Sequence, residues 1–451
     1  MLALSAAAAP SWAAVPVVRE MALDPATGVL SAWLANGLRV HHRASSFRKG
    51  QIALSLTFAR GRLDQPQPSS AALDAAMQGL VESLRRRLQP RQPAQGEQVD
   101  VQEPGFVVFG WVEPHAAVLE LLGPAEQTSD ALTLLASELL EPTFTDADLA
   151  RALQRQQQRL RDRAAFRALW SAIPQALYPP RQAAALRRPA PSALASVRVE
   201  AARRQLRDLA DHAPVELAVT GDITRAAALE ALARTLGRLP QRPRVVDASA
   251  AHPPIVRRAL QAPVTLHSPS TSPEALVWAS IATQRALEGA SDAELDAAAV
   301  LLELQGQRTF SEQLSHGARV RAYHRSLAAP FAQGSLSLYA SAPPAAARTA
   351  AALLARVFRT ALEEPVDEAA FRQALRQRAE EREKSLRDPH TWARFLASMD
   401  LRRRDLHAFA SSADALRAVS LDAVKRALRQ ALDASPPAII VVLPAKDEEK
   451  D

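Results

Sequence analysis

"ALASVRVEAARRQLRDLADHAPVELAV" (193–219) and "ALRAVSLDAVKRALRQALDASPPAIIV" (415–441) align without a gap at an offset of 222 residues. Leu194 meets Leu416, Val197 meets Val419, Glu200 meets Asp422, Arg204 meets Arg426, Leu206 meets Leu428 and Pro214 meets Pro436. Each copy reads as an amphipathic helix that passes through a Pro-marked turn into an apolar strand. The same offset pairs "DADLARALQRQ" (146–156) with "EAAFRQALRQR" (368–378). Chance likeness between Ala- and Arg-rich helices could mimic one block, but not two in one register. The chain therefore reads as an internal duplication.

Working outward, the first copy extends to about 20–245 and the second to 263–445. The Pro-rich stretch 246–262 links them, and 446–451, "KDEEKD" from Lys446, is a charged tail. Asn36-Gly37 is a hairpin turn signal between "LSAWLA" and "LRVHHR". "QIALSLTF" (51–58) alternates, which places Ile52, Leu54, Leu56 and Phe58 on one face. "FVVFGWV" (106–112) and "AVLELLG" (117–123) are further strands. Strands, helix, strands, helices and a closing strand predict an α+β fold. It has two homologous domains, each a mostly antiparallel sheet with helices packed on one face.

Composition narrows the chemistry. The chain has no cysteine, which excludes disulfides, thiolate metal sites and a Cys nucleophile. Its net charge of +7 comes from 55 Lys and Arg against 48 Asp and Glu, a modest excess for 451 residues. The basic runs "LRRRLQPR" (84–91) and "LRRRDL" (401–406) have no interleaved aromatics and no nucleic-acid motif, so they read as solvated helix faces and no nucleic-acid partner is expected. Residues 1–19 carry an apolar run ending in Ser11-Trp12-Ala13, with small residues where a signal peptidase needs them. The first basic residue is Arg19, so the segment reads as a secretory signal that is truncated or weak, and periplasmic export is the expectation. No other stretch has the apolar length of a membrane span.

Residues 64–84, "DQPQPSSAALDAAMQGLVESL", form the first core helix. Leu73, Met77, Leu80, Val81 and Leu84 fall at helical spacing, while Ala72, Ala75 and Ala76 are bare methyls. The chain has no GxSxG elbow, no Walker loop and no GxGxxG. His41 and His42 are adjacent on a strand and point to opposite faces. No two His lie three or four apart, so a zinc site built on one helix is excluded.

With these landmarks in order, the chain resembles the insulinase/pitrilysin family of zinc peptidases. "LANGLRVHHR" is similar to the family's first hairpin, and "IALSLTFARGRLDQP" to its second strand and turn. "LELLGPAEQTSDALTLLASELLEPTFTDADLARAL" is similar to the strand and helices that follow. "VELAVTGDITRAAALEALARTLGRLP" (215–240) resembles the segment closing each family domain. "FSEQLSHGARVRAYHRSLAAPFAQGSLSLYASAPP" resembles the matching part of the second domain.

The resemblance implies an inverted zinc motif, H-x-x-E-H, on the first core helix. Two His grip one ion there and the Glu activates its water. Matched at Met77, those positions hold Ala72, Ala75 and Ala76. The family's remaining ligand is a Glu on a later helix, yet no Glu occurs between Glu141 and Glu200. Gln154, Gln156, Gln157 and Gln158 occupy that region. Neither catalytic nor metal-binding residues are expected, nor a cofactor on this chain; zinc is expected only on a partner. The second domain of active members supplies an Arg and a Tyr seven residues apart that contact substrate. Tyr323 fits the Tyr, His316 stands seven residues before it, and Arg319 and Arg321 lie nearby. The candidate substrate-binding set is Tyr323, Arg319 and His316; the alternative for Tyr323 is a half-buried sheet residue.

The expected function is that of a non-catalytic subunit that forms half of a peptide-binding chamber. It would support proteolysis by a zinc-bearing homologous chain, as a heterodimer. A stand-alone peptide-binding or assembly scaffold, for instance a homodimer, is the alternative. The chain could equally be the second half of a longer four-domain protein, which the strand "FRKGQIALSL" favours. A peptidase using other groups is the remaining alternative, although no activated nucleophile is visible. Unfolded peptide is the expected ligand.

Overall fold

A computed structural model of the chain describes residues 18–65, 70–88, 105–161, 164–245, 255–260, 262–268, 274–284, 291–314, 319–325 and 333–445. The signal-like stretch up to residue 17, the charged tail and most of the linker lie outside these residues, as does His316. The strands are β1 (Val18–Leu23), β2 (Leu30–Leu34), β3 (Arg39–Ala44), β4 (Gln51–Phe58), β5 (Val107–Val112), β6 (Ala117–Pro124), β7 (Val215–Gly221), β8 (Val264–Ser268), β9 (Ala275–Gln284), β10 (Val320–Arg325), β11 (Gln333–Ala342) and β12 (Ala438–Pro444). The helices that build the layers are α1 (Ser70–Arg87), α2 (Thr128–Leu140), α3 (Asp146–Arg161), α4 (Ala164–Leu177), α5 (Val199–His212), α6 (Asp292–Gln313), α7 (Ala347–Glu363), α8 (Glu368–Arg387), α9 (Pro389–Leu396) and α10 (Leu421–Ala434).

The described residues divide into two compact units. One holds the chain up to Leu153, then Pro189–Ala251 and Ser385–Leu406. The other holds Gln154–Arg188, His252–Lys384 and the stretch from His407 on. Each unit has borrowed a segment from the sequence span of the other.

In the first unit a seven-stranded sheet runs β1-β2-β3-β7-β4-β6-β5. Its pairs are antiparallel except β3 with β7. The Asn36-Gly37 turn joins β2 to β3 as the sequence predicts. Gly37 has φ +87°, and a Cβ there would meet the Arg242 carbonyl oxygen at 2.3 Å, so only glycine fits. Ile52, Leu54, Leu56 and Phe58 of β4 face the helices and share a core with Leu73, Met77, Leu80 and Leu84 of α1 and Leu206 and Leu209 of α5. Each such side chain contributes about 1.5–3 kcal/mol of burial. The alternate residues Ala53, Ser55 and Thr57 are buried too, since α9 covers that face of β4 and β7.

In the second unit a five-stranded sheet runs β10-β11-β9-β12-β8, antiparallel except β12 with β8. It reproduces the order β5-β6-β4-β7-β3 of the first unit. Helices α5 and α10 begin and end at the 222-residue offset, so the duplication read from sequence is a duplication of structure. The helix α6 opens on a capping box, in which the Glu294 N–H donates to Ser291 Oγ at 3.2 Å and the Ser291 N–H to Glu294 at 2.7 Å. The helices α6, α7 and α10 cover one face. On the other face α4 sets Leu169, Ala172 and Leu177 against Leu276, Trp278, Ile440 and Val442. The fold class is therefore the predicted α+β pair of mostly antiparallel sheets. In addition, a borrowed helical segment lies on the second face of each sheet. No described helix is long and apolar enough to cross a membrane.

Candidate functional site

The helix α1 is where the family's metal chemistry would reside. Ala75 is 3% exposed and Ala76 0%, and both belong to the apolar core beside Leu73, Met77 and Leu80. Between them and Ala72 stands Asp74, buried and held by a bidentate pair: Arg62 Nε and Nη2 donate to its two oxygens, each at 2.8 Å. This carboxylate is committed to a guanidinium. Methyls offer no lone pair, so these residues do not fit a zinc ion. On α3, Gln154, Gln157 and Gln158 are exposed, and a neutral amide is a poor ligand for a divalent ion.

The one group of three metal-capable side chains found among the described residues is His41, Glu216 and Asp400, whose ligand atoms lie within 4.8 Å of one another. It forms a hydrogen-bonded network that is already saturated. Glu216 Oε1 accepts the Asp400 N–H at 2.8 Å and lies 3.0 Å from His41 Nε2. Its Oε2 accepts the Leu401 N–H at 3.0 Å. His41 Nδ1 lies 2.8 Å from Ser31 Oγ, and Arg39 Nε donates to Asp400 at 2.6 Å. A cation would have to displace the imidazole proton and sit beside Arg39. The group's evident role is to hold residues 385–406 onto the sheet.

Other contacts do the same. Thr220 Oγ1 donates to the Pro389 carbonyl at 2.6 Å. Buried Glu120 lies 2.9 Å from His390 Nε2; Arg394 Nε stands 3.0 Å from its other oxygen, close but poorly aligned for a hydrogen bond. Arg43 lies over the Trp392 ring at 4.0 Å. Sequence reasoning missed this arrangement. Its signal was present: Glu216 and Glu120 each interrupt an apolar strand, "VELAV" and "VLELLG", and a buried carboxylate requires partners.

His42, on the opposite face of β3, donates from Nε2 to the Ile223 carbonyl at 3.0 Å, and its Nδ1 has no partner. Burial pushes its pKa down to about 4, below the ordinary 6.5. The folded chain then takes this proton only below about pH 4, whereas the unfolded chain takes it from about 6.5. Stability from neutral His42 is complete above pH 6.5, falls between pH 6.5 and 4, and is about 3 kcal/mol lower below that. Denaturant melts across this range should show a shallower acid loss in His42→Gln than in the unchanged chain.

In the second unit Tyr323 is half-buried on β10. Its hydroxyl accepts from Trp278 Nε1 at 3.2 Å, and its ring lies 6.3 Å from Tyr339. Phe166 of α4 meets Tyr339 edge-on at 5.8 Å. Arg257 donates to Ser280 Oγ at 3.1 Å and to the Ser280 carbonyl at 2.7 Å, and burial pushes its pKa down to about 10. Arg319 is exposed just before β10, and Arg321 pairs with Glu303 at 3.0 Å. The basic run on α1 is engaged: Arg85 with Glu82, Arg86 with Asp148, Arg87 with Glu138.

The fold of this chain is shared with solved proteases and with a peptidase M16 inactive domain. Residues 212–378 match the family model described as peptidase M16 inactive domain. No curated protein matches the sequence. Among solved structures the chain is similar to a peptidase M16 inactive domain from Pseudomonas fluorescens. That match has a TM-score of 0.68 and 16% identity, and covers 93% of this chain and 98% of that one. The ferredoxin protease FusC, solved as a mutant in complex with Arabidopsis ferredoxin, matches at TM-score 0.68 and 14% identity over 95% of this chain. The periplasmic protease PqqL from Escherichia coli matches at 0.65 and 18%, also over 95%. The chain spans 46% of each of these two proteases. The family match thus falls on residues 212–378, the fold is shared with a peptidase M16 structure, and the H-x-x-E-H motif is absent from the sequence.

Proposed function

We propose that this chain is a non-catalytic M16 subunit that forms half of a peptide-binding chamber and supports proteolysis by a zinc-bearing homologous partner in the periplasm. The observation that carries the reading is the emptied α1: Ala75 and Ala76 are buried in a complete apolar core on a retained family fold. The chain also spans about half of the length of two proteases of the same fold. On this reading Tyr323, Arg319 and His316 contact the peptide, and any zinc is the partner's.

The test is to mix the purified chain with a homologue bearing H-x-x-E-H and follow cleavage of unstructured peptides. The expected result is no cleavage by this chain alone and a rate at least about tenfold above the partner's own when the two are combined. Cleavage by this chain alone, with one zinc bound, would overturn the reading. An unchanged rate with every homologue would favour the scaffold alternative. One observation speaks for that alternative: the outer edge of β10 is occupied by α6, with Ala322 N–H donating to Glu303 at 2.9 Å and Gln307 donating to the Val320 carbonyl at 3.4 Å.

A further inference from the structure

Three neighbouring strands of the first unit bring a hydroxyl, an imidazole and a carboxylate into line. Ser31 of β2 is paired with His41 of β3, and Glu216 of β7 stands one step along, opposite Arg39. Ser31 Oγ lies 2.8 Å from His41 Nδ1, and His41 Nε2 lies 3.0 Å from Glu216 Oε1. Both Glu216 oxygens accept main-chain N–H groups, from Asp400 and Leu401, so this carboxylate is an acceptor. In the neutral imidazole the proton therefore sits on Nε2, and the bare Nδ1 accepts from the Ser31 hydroxyl. His41 and Glu216 are fully buried, whereas Ser31 is half-buried at the outer end of the relay. Holding residues 385–406 requires Glu216 but makes no use of Ser31.

A second feature of this face points to a ligand. Arg43 lies two residues beyond His41 and so on the same side of β3. Its Nε donates to the Thr27 carbonyl at 3.2 Å, and its guanidinium lies over the Trp392 ring at 4.0 Å. Among the described residues no carboxylate pairs with it, and burial pulls its pKa below the ordinary arginine value. A half-buried cation without a counter-ion is a costly arrangement that a bound anion relieves.

We propose that Ser31 is a nucleophile toward small activated esters whose acyl part carries a carboxylate, with His41 as its base, Glu216 as the positioning residue and Arg43 as the seat of that carboxylate. Ser31 Oγ bonds to the ester carbonyl carbon, its proton passes to His41 Nδ1, and Glu216 stabilises the imidazolium. The bond from that carbon to the leaving oxygen then breaks, and the leaving alcohol departs with the His41 proton. Water, giving its proton to His41, cleaves the Ser31 ester and releases the acid. Peptides are not expected to react. β2 is paired on both sides, by β1 and β3, so the Ser31 main chain is committed to the sheet and offers no oxyanion hole. The inference goes beyond the subunit reading and does not depend on it.

The test treats the purified chain with the mono-para-nitrophenyl ester of adipic acid, and with para-nitrophenyl hexanoate as the uncharged control. Nitrophenolate release gives the rate, and peptide mass spectrometry locates the acyl group. The unchanged chain should be acylated at Ser31, and Ser31→Ala should show no acyl group there. The adipate ester should react about tenfold faster than the hexanoate, and Arg43→Met, which keeps the stem beside Trp392, should erase that preference. Glu216→Gln should slow acylation at least about tenfold and displace the pH–rate profile, a shift that looser packing alone does not produce. A Ser31 without an acyl group, or one acylated at an unchanged rate and with an unchanged profile in Glu216→Gln, overturns the nucleophile. Equal rates for the two esters overturn the carboxylate seat at Arg43.

Discussion

Glu216→Ala should cost the first unit about 3–5 kcal/mol and release residues 385–406 from its sheet. Glu216 is fully buried, and its two oxygens accept the Asp400 and Leu401 N–H groups and lie against His41. Alanine leaves those donors without an acceptor, in a site too enclosed for water to reach freely. Each unpaired buried donor costs about 1–3 kcal/mol. Asp400 also loses the contact that places it under Arg39. Glu216→Gln keeps one acceptor oxygen and should lose less, about 1–2 kcal/mol. Urea unfolding gives the stability change, and limited proteolysis with hydrogen exchange at Asp400 and Leu401 reports the release. A Glu216→Ala chain within about 1 kcal/mol of the original, with these amides still protected, would show that apolar packing of Trp392, Phe395 and Leu396 holds the segment instead. The duplication supplies an internal control. The residue at the same offset in the second unit is Ala438, on a strand whose borrowed helix α4 is held by apolar packing with Leu169, Ala172 and Leu177 instead.

The elements were legible because their signals are local. Apolar spacing on α1, alternation along β4 and the Asn36-Gly37 turn each place a few neighbouring residues, and the structure has them where the pattern puts them. The duplication was legible because two copies of α5 and its following strand kept one register. The destination of residues 385–406 and 154–188 was not. Helix α9 has an apolar stripe that would suit any sheet face, and its choice is made by Thr220, Glu120 and Glu216, which lie far away in sequence. The surroundings of Tyr323 were hidden for the same reason. Its hydroxyl accepts from Trp278, whose ring is reached only once β9, β11 and β10 are ordered side by side. The emptied motif was fully legible, since it is a matter of residue identity. That Ala75 and Ala76 are core residues, rather than the lining of a vacated cavity, was not.

That distinction sets the largest expected effect of all. Restoring the motif by Ala72→His, Ala75→Glu and Ala76→His together should not restore a zinc site, and should destabilise the first unit by about 4–8 kcal/mol. Ala76 is wholly enclosed and Ala75 nearly so, among Leu73, Met77, Leu80 and the inner residues of β4. An imidazole at 76 and a carboxylate at 75 would overpack this region, at about 1–3 kcal/mol each. The new Glu would also be a desolvated charge. The guanidinium of Arg62 is already taken bidentately by the adjacent Asp74. Two imidazoles supply two ligands where a zinc ion needs at least three from protein, and the sequence has no Glu between 141 and 200 to give the third. Metal content after dialysis and thermal unfolding of the triple variant decide the matter. One tightly held zinc per chain with unchanged stability would mean that α1 still leaves room for the ion. Loss of stability without metal would mean that the core closed over the site when its ligands were lost, so that reversing three residues no longer reverses the chemistry.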